Sequence, residues 1–232
     1  MQRVIVCDTE TASLRGPVVD FALVEIDSEL NIIREVQSLI DPQCPIQAGA
    51  QAVHGISDEM VADAPTMAEY IENYGNPFTV DEGDDLVFIA HNAQFDFRML
   101  KAVLPPRVTQ ICTLRMSRNM WPDLSEGENH QLGTLAVKFK LERGVAHRAM
   151  GDVITCLNLL RHLAAVGKVG SFEELLELGK RSLTLDAKMT FGKHKGTKLK
   201  DLDMGYVSWM LRQPDMDPEL LAALATRTNR SS

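Results

Sequence analysis

The 232-residue chain combines 45% hydrophobic residues with a net charge of −8 and four cysteines. This length and composition suit one large core with a small second unit, and the acidic balance argues against a general nucleic-acid coat protein. No C-x-x-C pair and no 18-residue apolar run is present, so the sequence predicts neither a zinc ribbon nor a membrane span. We therefore expect a cytoplasmic protein without a membrane partner.

The apolar pattern predicts secondary structure in chain order. Strands are expected at 3–8, 18–26, 31–40, 85–90 and 109–113. Helices are expected from Asp58, with Ser57 as its cap, over 66–74, 95–104, 131–140 and 149–166, and from a cap at Asp217 followed by Pro218. Three early strands close in sequence indicate an antiparallel meander, and the later strands alternate with helices. The sequence thus predicts an α/β or α+β fold, with a mixed five-stranded sheet flanked by helices.

A change of composition predicts a second unit after the long helix. Small and polar residues occupy 167–170, and Ser171 with Glu174 predicts a capping box before an apolar stretch. These features place a boundary near 168–186. We divide the chain into a first domain at 1–167, a linker or helix at 168–185, and a small C-terminal region at 186–232.

The C-terminal region contains a local basic segment in an otherwise acidic chain. Five lysines and His194 lie between 188 and 200, with no acidic residue from 187 to 200. Glycines at positions 192 and 196 would let the backbone approach a phosphate closely, and the lysines would supply charge. The alternative is a solvated hairpin. Trp209 and Met210 are expected to belong to the core of this unit, not to a base-stacking surface.

Acidic residues recur at the predicted ends of strands and helices. Asp8 and Glu10 are two residues apart, so both side chains point to one face of a strand. Asp96 follows the fourth strand, and Asp152 lies in the first turns of the long helix, with His147 just before it. Four such carboxylates would repel one another, each pair by ~4 kcal/mol at 4 Å and an effective dielectric of 20. Mg²⁺ or Mn²⁺ would remove that repulsion, because both ions prefer oxygen ligands.

Each acidic segment taken alone has a simpler explanation. Asp8 and Glu10 could be solvated charges at a strand end, Asp96 a helix cap, and His147 a surface or capping histidine. The combination of segments is what indicates chemistry.

Four segments together resemble the motifs of the DEDDh (DnaQ-like) exonucleases. They are D-x-E-T at 8–11, VHGIS at 53–57, H-N-A-x-F-D at 91–96 and H-R-A-x-x-D at 147–152. The C-terminal FGKHKG at 191–196 resembles the exonuclease X-like branch of this family. The resemblance implies a ribonuclease H-like fold, 3′→5′ removal of nucleotides with two Mg²⁺ or Mn²⁺ ions, and nucleoside 5′-monophosphates as products.

The resemblance also implies a role for each acid. Asp8 would lie between both metals, while Glu10 and Asp152 would hold the metal that carries the attacking water. Asp96 would act mainly around the second metal. His147 would take the proton from that water as the general base.

Further residues are candidates for substrate binding by the same resemblance. Leu14 would wedge against the terminal base, although plain loop packing is the alternative, and His54 would lie near the terminal nucleotide or only complete a turn. The family's T-T-G-L stretch reads T-A-S-L here, so Ser13 replaces a glycine and the turn there is in question. The substrate-binding candidates are Thr11, Leu14, His54, Asn92, Lys193 and Lys195.

The resemblance implies DNA 3′ ends, single-stranded or duplex, as substrate. Two alternatives stay open: the same chemistry on RNA, and a non-catalytic module that binds nucleic acid or a partner. DNA polymerase or repair proteins are candidate partners. The sequence does not specify the oligomeric state.

Overall fold

The fold is built on one mixed sheet of five strands. The computed structural model describes residues 2–125, 128–213 and 216–229. The strands are β1 (Gln2–Thr11), β2 (Val18–Ile26), β3 (Ile32–Leu39), β4 (Asp85–Ala90) and β5 (Val108–Cys112), in the order β3-β2-β1-β4-β5. β1 pairs antiparallel with β2 and parallel with β4. The predicted meander and mixed five-stranded sheet are therefore confirmed.

Helices cover the sheet and form the C-terminal part of the chain. They are α1 (Ala48–His54), α2 (Asp58–Val61), α3 (Met67–Tyr74), α4 (Ala93–Leu100), α5 (Thr113–Met120), α6 (Leu132–Phe139), α7 (Ala149–Val166), α8 (Phe172–Lys180), α9 (Met204–Met210) and α10 (Pro218–Asn229). A short 3-10 turn spans Leu199–Asp201.

The two faces of β1 pack against different helical layers. Val4 and Val6 belong to the apolar cluster that includes α7. Ile5 and Cys7 belong to a second cluster, which includes residues of α3 and α4. This alternation follows from the period of two in a strand. It means that even-numbered residues of β1 face α7.

Some helices differ from the sequence prediction. α4 begins and ends earlier than the predicted 95–104, because Asn92 adopts a left-handed conformation (φ 75°) that turns the chain directly from β4 into the helix. Helices α1, α5 and α9 were not predicted. α5 follows β5 without a loop or a capping side chain, so no local signal separates the two elements.

The predicted caps have mixed outcomes. Ser57 lies at the start of α2, but its side chain makes no capping hydrogen bond. Ser171 Oγ accepts the N–H of Glu174, yet the Glu174 carboxylate accepts the N–H of Gly170, so the capping box is only half formed. The cap of α10 is confirmed, since Asp217 Oδ1 accepts a backbone N–H at 2.9 Å.

The C-terminal residues form their own apolar cluster. Leu183, Met189, Val207 and Leu224 are among its buried members. The domain boundaries themselves stay a prediction. One expectation for this region was wrong: Met210 is buried, but Trp209 is 45% exposed.

α5 provides the contact surface for the C-terminal unit. Arg115 pairs with Glu219 of α10, and Arg118 donates to the backbone carbonyl of Lys188 at 3.1 Å. Asp123, just after α5, accepts ion pairs from Lys188 at 3.0 Å and Lys198 at 2.9 Å. These contacts fix the base of the basic segment against the first domain.

α7 is the one helix in the described residues that is long and apolar enough to cross a membrane, with a mean hydropathy of 1.2 over 18 residues. It is a core helix, because half of it is buried and it packs on β1 and β2. All four cysteines are free thiols.

Candidate active site

The first two candidate acids lie inside a strand, at the point where its neighbour ends. β1 extends to Thr11, three residues beyond the predicted end at residue 8. Its pairing with β4 stops at Val6, whereas its pairing with β2 continues to Thr11. Asp8 and Glu10 therefore follow Val6 on the α7 face, where β1 has lost one neighbour. Such openings at the carboxyl ends of parallel strands are common ligand sites.

Asp96 reaches this opening from the other helical layer. It lies on α4 and is only 2% exposed. Its Oδ1 accepts hydrogen bonds from Thr9 N at 2.9 Å and Thr9 Oγ1 at 2.8 Å. Thr9, which lies between Asp8 and Glu10, thus positions the carboxylate of Asp96. Sequence analysis did not assign this role to Thr9.

Asp152 and His147 complete the cluster from α7 and the loop before it. Single ligand atoms of Glu10, His147 and Asp152 all lie within 4.8 Å of one another. The backbone N–H of His147 donates to Asp152 Oδ2 at 3.0 Å, and His147 has a left-handed backbone with φ 58°. Its side chain is exposed, so the imidazole is open to solvent beside the carboxylates.

Two glycines allow the His147 loop to lie directly on α7. A Cβ added at Gly151 would be 1.8 Å from the carbonyl oxygen of Val145, and one at Gly144 would be 2.3 Å from Gly151 Cα. Thr155 Oγ1 accepts the N–H of Gly144 at 3.3 Å and donates to the Gly151 carbonyl at 2.8 Å. The position of His147 therefore depends on backbone-to-backbone packing.

The pKa values show how strongly these acids affect one another. Burial raises the pKa of Asp8 well above its usual range, and the negative charges of Asp96, Asp152, Glu10 and Asp20 raise it further. Burial and the charge of Asp152 raise the pKa of Glu10 to about 7. Burial also raises the pKa of Asp96 and of Asp152, although hydrogen bonds from Thr9 and His147 partly offset it. The four acids predicted from the motifs thus share one electrostatic environment.

Asp20 is a fifth acid that sequence analysis missed. It lies in β2 directly opposite Glu10 and is completely buried. Its Oδ2 accepts from Arg148 Nε at 3.4 Å and from Ala149 N at 3.3 Å, whereas its Oδ1 has no hydrogen-bond partner in the described residues. The available signal was Asp20 near the start of the second strand, where every residue from Val18 to Val24 other than Asp20 is apolar. Through Arg148 and Ala149, Asp20 anchors the start of α7. It therefore also positions the segment that joins His147 to Asp152.

The donor set fits divalent cations. Like charges on directly opposed strand positions, such as Glu10 and Asp20, destabilise a sheet, and several buried carboxylates increase the penalty. A bound cation offsets such repulsion, and carboxylate oxygens are the ligands that Mg²⁺ and Mn²⁺ prefer. The residues that would hold the ions are Asp8, Glu10, Asp96 and Asp152.

The loop after β1 presents an exposed leucine. Leu14 is 78% exposed, so it does not pack within its loop. Ser13 replaces the family's glycine without a positive φ. The tight turn instead depends on Gly16, whose N–H donates to the Ser13 carbonyl and where a Cβ would be 2.6 Å from Ser13 Oγ.

His54 supports this loop from α1. Its Nδ1 accepts the N–H of Ile56 at 3.0 Å, so its Nε2 donates to the Thr11 carbonyl at 3.2 Å. Burial lowers the pKa of His54, which favours this neutral form. Thr11 Oγ1 donates to the Ser13 carbonyl at 2.8 Å. Both ring nitrogens of His54 are therefore occupied in holding the loop.

A cleft of about 550 Å³ runs from the second motif to the basic segment. Its lining includes Asn92, Gln131, Lys188 and Lys195. Asn92 is exposed, forms no side-chain cap on α4 and lines this cleft. Lys193 does not line this cleft; its Nζ lies 5.4 Å from the centroid of the Tyr206 ring, in a separate recess. The structure thus separates the two lysines that the sequence grouped together.

Comparisons with known proteins identify the class. A family model described as an exonuclease, RNase_T, matches residues 5–160. The chain belongs to this exonuclease family, the DEDDh (DnaQ-like) group that its motifs resemble. Exodeoxyribonuclease 10 of Escherichia coli strain K12 is 32% identical over 232 residues, which cover 97% of each chain. The PolC-type DNA polymerase III of Bacillus subtilis is 30% identical over 177 residues, covering 72% of this chain and 12% of the polymerase.

Solved structures confirm the ribonuclease H-like fold. A structure of exonuclease X in complex with 5′-overhanging duplex DNA has a TM-score of 0.59 and 28% identity, and it covers 76% of this chain and 99% of that chain. A structure of exonuclease I has a TM-score of 0.62 at 19% identity and covers 76% of this chain and 43% of that chain.

Proposed function

We propose that this protein is a 3′→5′ exonuclease that releases nucleoside 5′-monophosphates from DNA ends, with two divalent cations held by Asp8, Glu10, Asp96 and Asp152. The observation that carries this proposal is the convergence of acids from β1, α4 and α7 beside an exposed imidazole. When bound, two such ions supply charge stabilisation to the attacking and leaving oxygens of a phosphodiester displacement.

His147 is the proposed general base. Its side chain is solvent-exposed within ligand distance of Glu10 and Asp152, so it can accept a proton from a water that attacks the terminal phosphodiester. Histidine is the side chain most often used for such proton transfer. The contact of its backbone N–H with Asp152 fixes the loop next to the carboxylates.

The neighbouring loop and cleft are proposed to hold the strand. Exposed Leu14 is available to pack against the terminal base, and His54 holds the Thr11 backbone that precedes Leu14 in this loop. Asn92 and Lys195 line the same cleft, where a lysine can neutralise a phosphate of the preceding nucleotides. DNA is favoured as substrate because the relative that covers nearly the whole chain is an exodeoxyribonuclease. Cytoplasmic location and contacts with polymerase or repair proteins stay predictions.

The decisive experiment measures Mg²⁺-dependent shortening of matched DNA and RNA oligonucleotides labelled at their 5′ ends. We expect stepwise loss from the 3′ end of DNA with release of 5′-monophosphates. The Asp8→Ala, Asp152→Ala double variant should release none and keep its circular dichroism spectrum, while Asp63→Ala, an exposed acid outside the site, should match the wild type. Activity retained in the double variant contradicts the proposal, and faster loss from RNA replaces DNA by RNA as the substrate.

A further inference from the structure

A group of aromatic and basic side chains lies on the C-terminal unit, outside the site described above; Trp209 and Lys193 are exposed, and Tyr206 and His194 are half-buried. Tyr206 and Trp209 of α9 stack with ring centroids 5.4 Å apart and planes inclined by 24°. His194 lies 4.3 Å from the Tyr206 ring. Lys193 Nζ lies 5.4 Å from the same ring centroid. Together with Asp203, these four side chains line one open recess. We call the four the aromatic platform.

Exposure distinguishes the platform from a core cluster. Trp209 is 45% exposed, whereas its neighbours Val207 and Met210 are fully buried. The buried side of α9 therefore supplies the core of the unit, and Trp209 contributes little to it. Phe191, at the tip of the basic segment, is also 42% exposed. Large apolar groups left open to solvent commonly mark interaction sites.

Charge indicates what the platform binds. Three of the five lysines in the basic segment are paired, Lys188 and Lys198 with Asp123, and Lys200 with Asp186. Lys193 and Lys195 pair with no described carboxylate. They are therefore available to anions. The acid in the recess, Asp203, uses its Oδ1 to accept two backbone N–H groups at the start of α9.

We propose that the aromatic platform is a second nucleic-acid site, which stacks unpaired bases of a single strand on Trp209 and Tyr206 while Lys193 contacts the backbone. Stacked aromatics beside a positive groove are the usual means of binding single strands without sequence preference. The inference extends the proposed function, because a strand whose 3′ end is in the active site would have a second point of attachment. Such attachment would hold the substrate between successive cleavages.

The test measures binding without cleavage. Full-length protein in EDTA is titrated into a labelled poly-dT oligonucleotide and followed by fluorescence anisotropy. Trp209→Ala should weaken binding about tenfold, equivalent to ~1.4 kcal/mol. Trp209→Phe should keep most of the affinity, because phenylalanine still stacks, and Trp209→Leu should not. Tyr74→Ala, an aromatic that is 71% exposed elsewhere on the surface, is the matched control and should leave binding unchanged.

Two further measurements separate stacking from charge. An oligonucleotide that carries abasic sites should bind wild type and Trp209→Ala equally. Lys193→Ala should lower the slope of log affinity against log salt by about 0.7. The chain has two tryptophans, and Trp121 packs against Phe139. Poly-dT should therefore quench the emission of wild type more than that of Trp209→Phe.

Equal affinity of wild type and Trp209→Ala for poly-dT overturns the inference and leaves the platform as a surface for a protein ligand. Mononucleotide release by the wild type with Mg²⁺, measured in parallel, reports on the proposed function separately. Release without a platform effect leaves the exonuclease proposal intact, and a platform effect without release leaves only the binding site.

Discussion

Replacing Gly151 by alanine should disable the site without touching a carboxylate. The new Cβ would lie 1.8 Å from the Val145 carbonyl oxygen. Carbon and oxygen normally approach no closer than about 3.3 Å, so the loop must move away from α7 by roughly 1.5 Å. His147 is two residues after Val145 and would move with it. Misplacement of a catalytic group by ~1 Å costs about 100-fold in rate, and we expect a loss of that size.

The assay is the initial rate of Mg²⁺-dependent mononucleotide release, with unfolding temperature and Mn²⁺ affinity measured on the same samples. Gly133→Ala is the matched control, because Gly133 also lies in a helix and a Cβ there meets nothing within 4 Å. It should keep full activity and gain slightly in stability.

A double-mutant comparison tests whether Gly151 acts through the imidazole. In a His147→Ala background, Gly151→Ala should cause little further loss, because residues that act as one unit are not additive. Wild-type activity in Gly151→Ala, or an equal loss in both backgrounds, would refute the reasoning.

The remaining predictions concern His147, the pH profile, Asp20 and the proton on Glu10. His147→Ala should lose activity while keeping more Mn²⁺ affinity in calorimetry than Asp8→Ala, and equal loss of affinity in both variants contradicts these roles. Wild-type activity should fall toward low pH as the carboxylates, whose pKa values burial raises, protonate and lose metal affinity; a flat profile from about pH 5 to 9 contradicts this. Asp20→Asn should slow release without abolishing it, because a weaker acceptor faces the Ala149 N–H at the start of α7; an unchanged rate would exclude this positioning role. Since the fold raises the pKa of Glu10 from 4.5 to about 7, the folded state binds that proton more tightly than the unfolded chain, so in metal-free protein the contribution of Glu10 to stability falls as the pH rises between these values. Burial lowers the pKa of His91 and of His130 to about 4, which acts in the opposite direction over the same range, so thermal melts in EDTA should compare the wild type with Glu10→Gln. The unfolding temperature of the wild type should fall relative to that of the variant as the pH rises, and a constant or opposite difference would contradict the sign.

The sequence was sufficient for the sheet because its strands have strong apolar patterns of the right length. It was also sufficient to select Asp8, Glu10, Asp96, Asp152 and His147, because their motifs are local and ordered along the chain. Their roles stay predictions. The structure adds that these residues come together where β1 extends beyond its pairing with β4.

Features that depend on contacts between distant segments were not predictable. Thr9 and Asp96 are 87 residues apart, and Asp20 faces Glu10 only once the register of β1 and β2 is known. Likewise, aromatic residues in an apolar segment suggest burial, yet Trp209 faces solvent because the seven-residue α9 buries the opposite side. The half-formed capping box shows the same limit, since the Glu174 carboxylate accepts the N–H of Gly170 and not that of Ser171.

The extension of β1 beyond its parallel neighbour has a consequence for how this enzyme can vary. Side chains on a strand change face at every residue, so inserting one residue between Val6 and Asp8, or deleting Cys7, would turn both carboxylates toward the opposite layer. That layer is formed by Ile5, Cys7 and the apolar side chains of α3 and α4. Surface connections can lengthen or shorten around the sheet, but the spacing of Val6, Asp8 and Glu10 along β1 cannot change without misplacing the carboxylates.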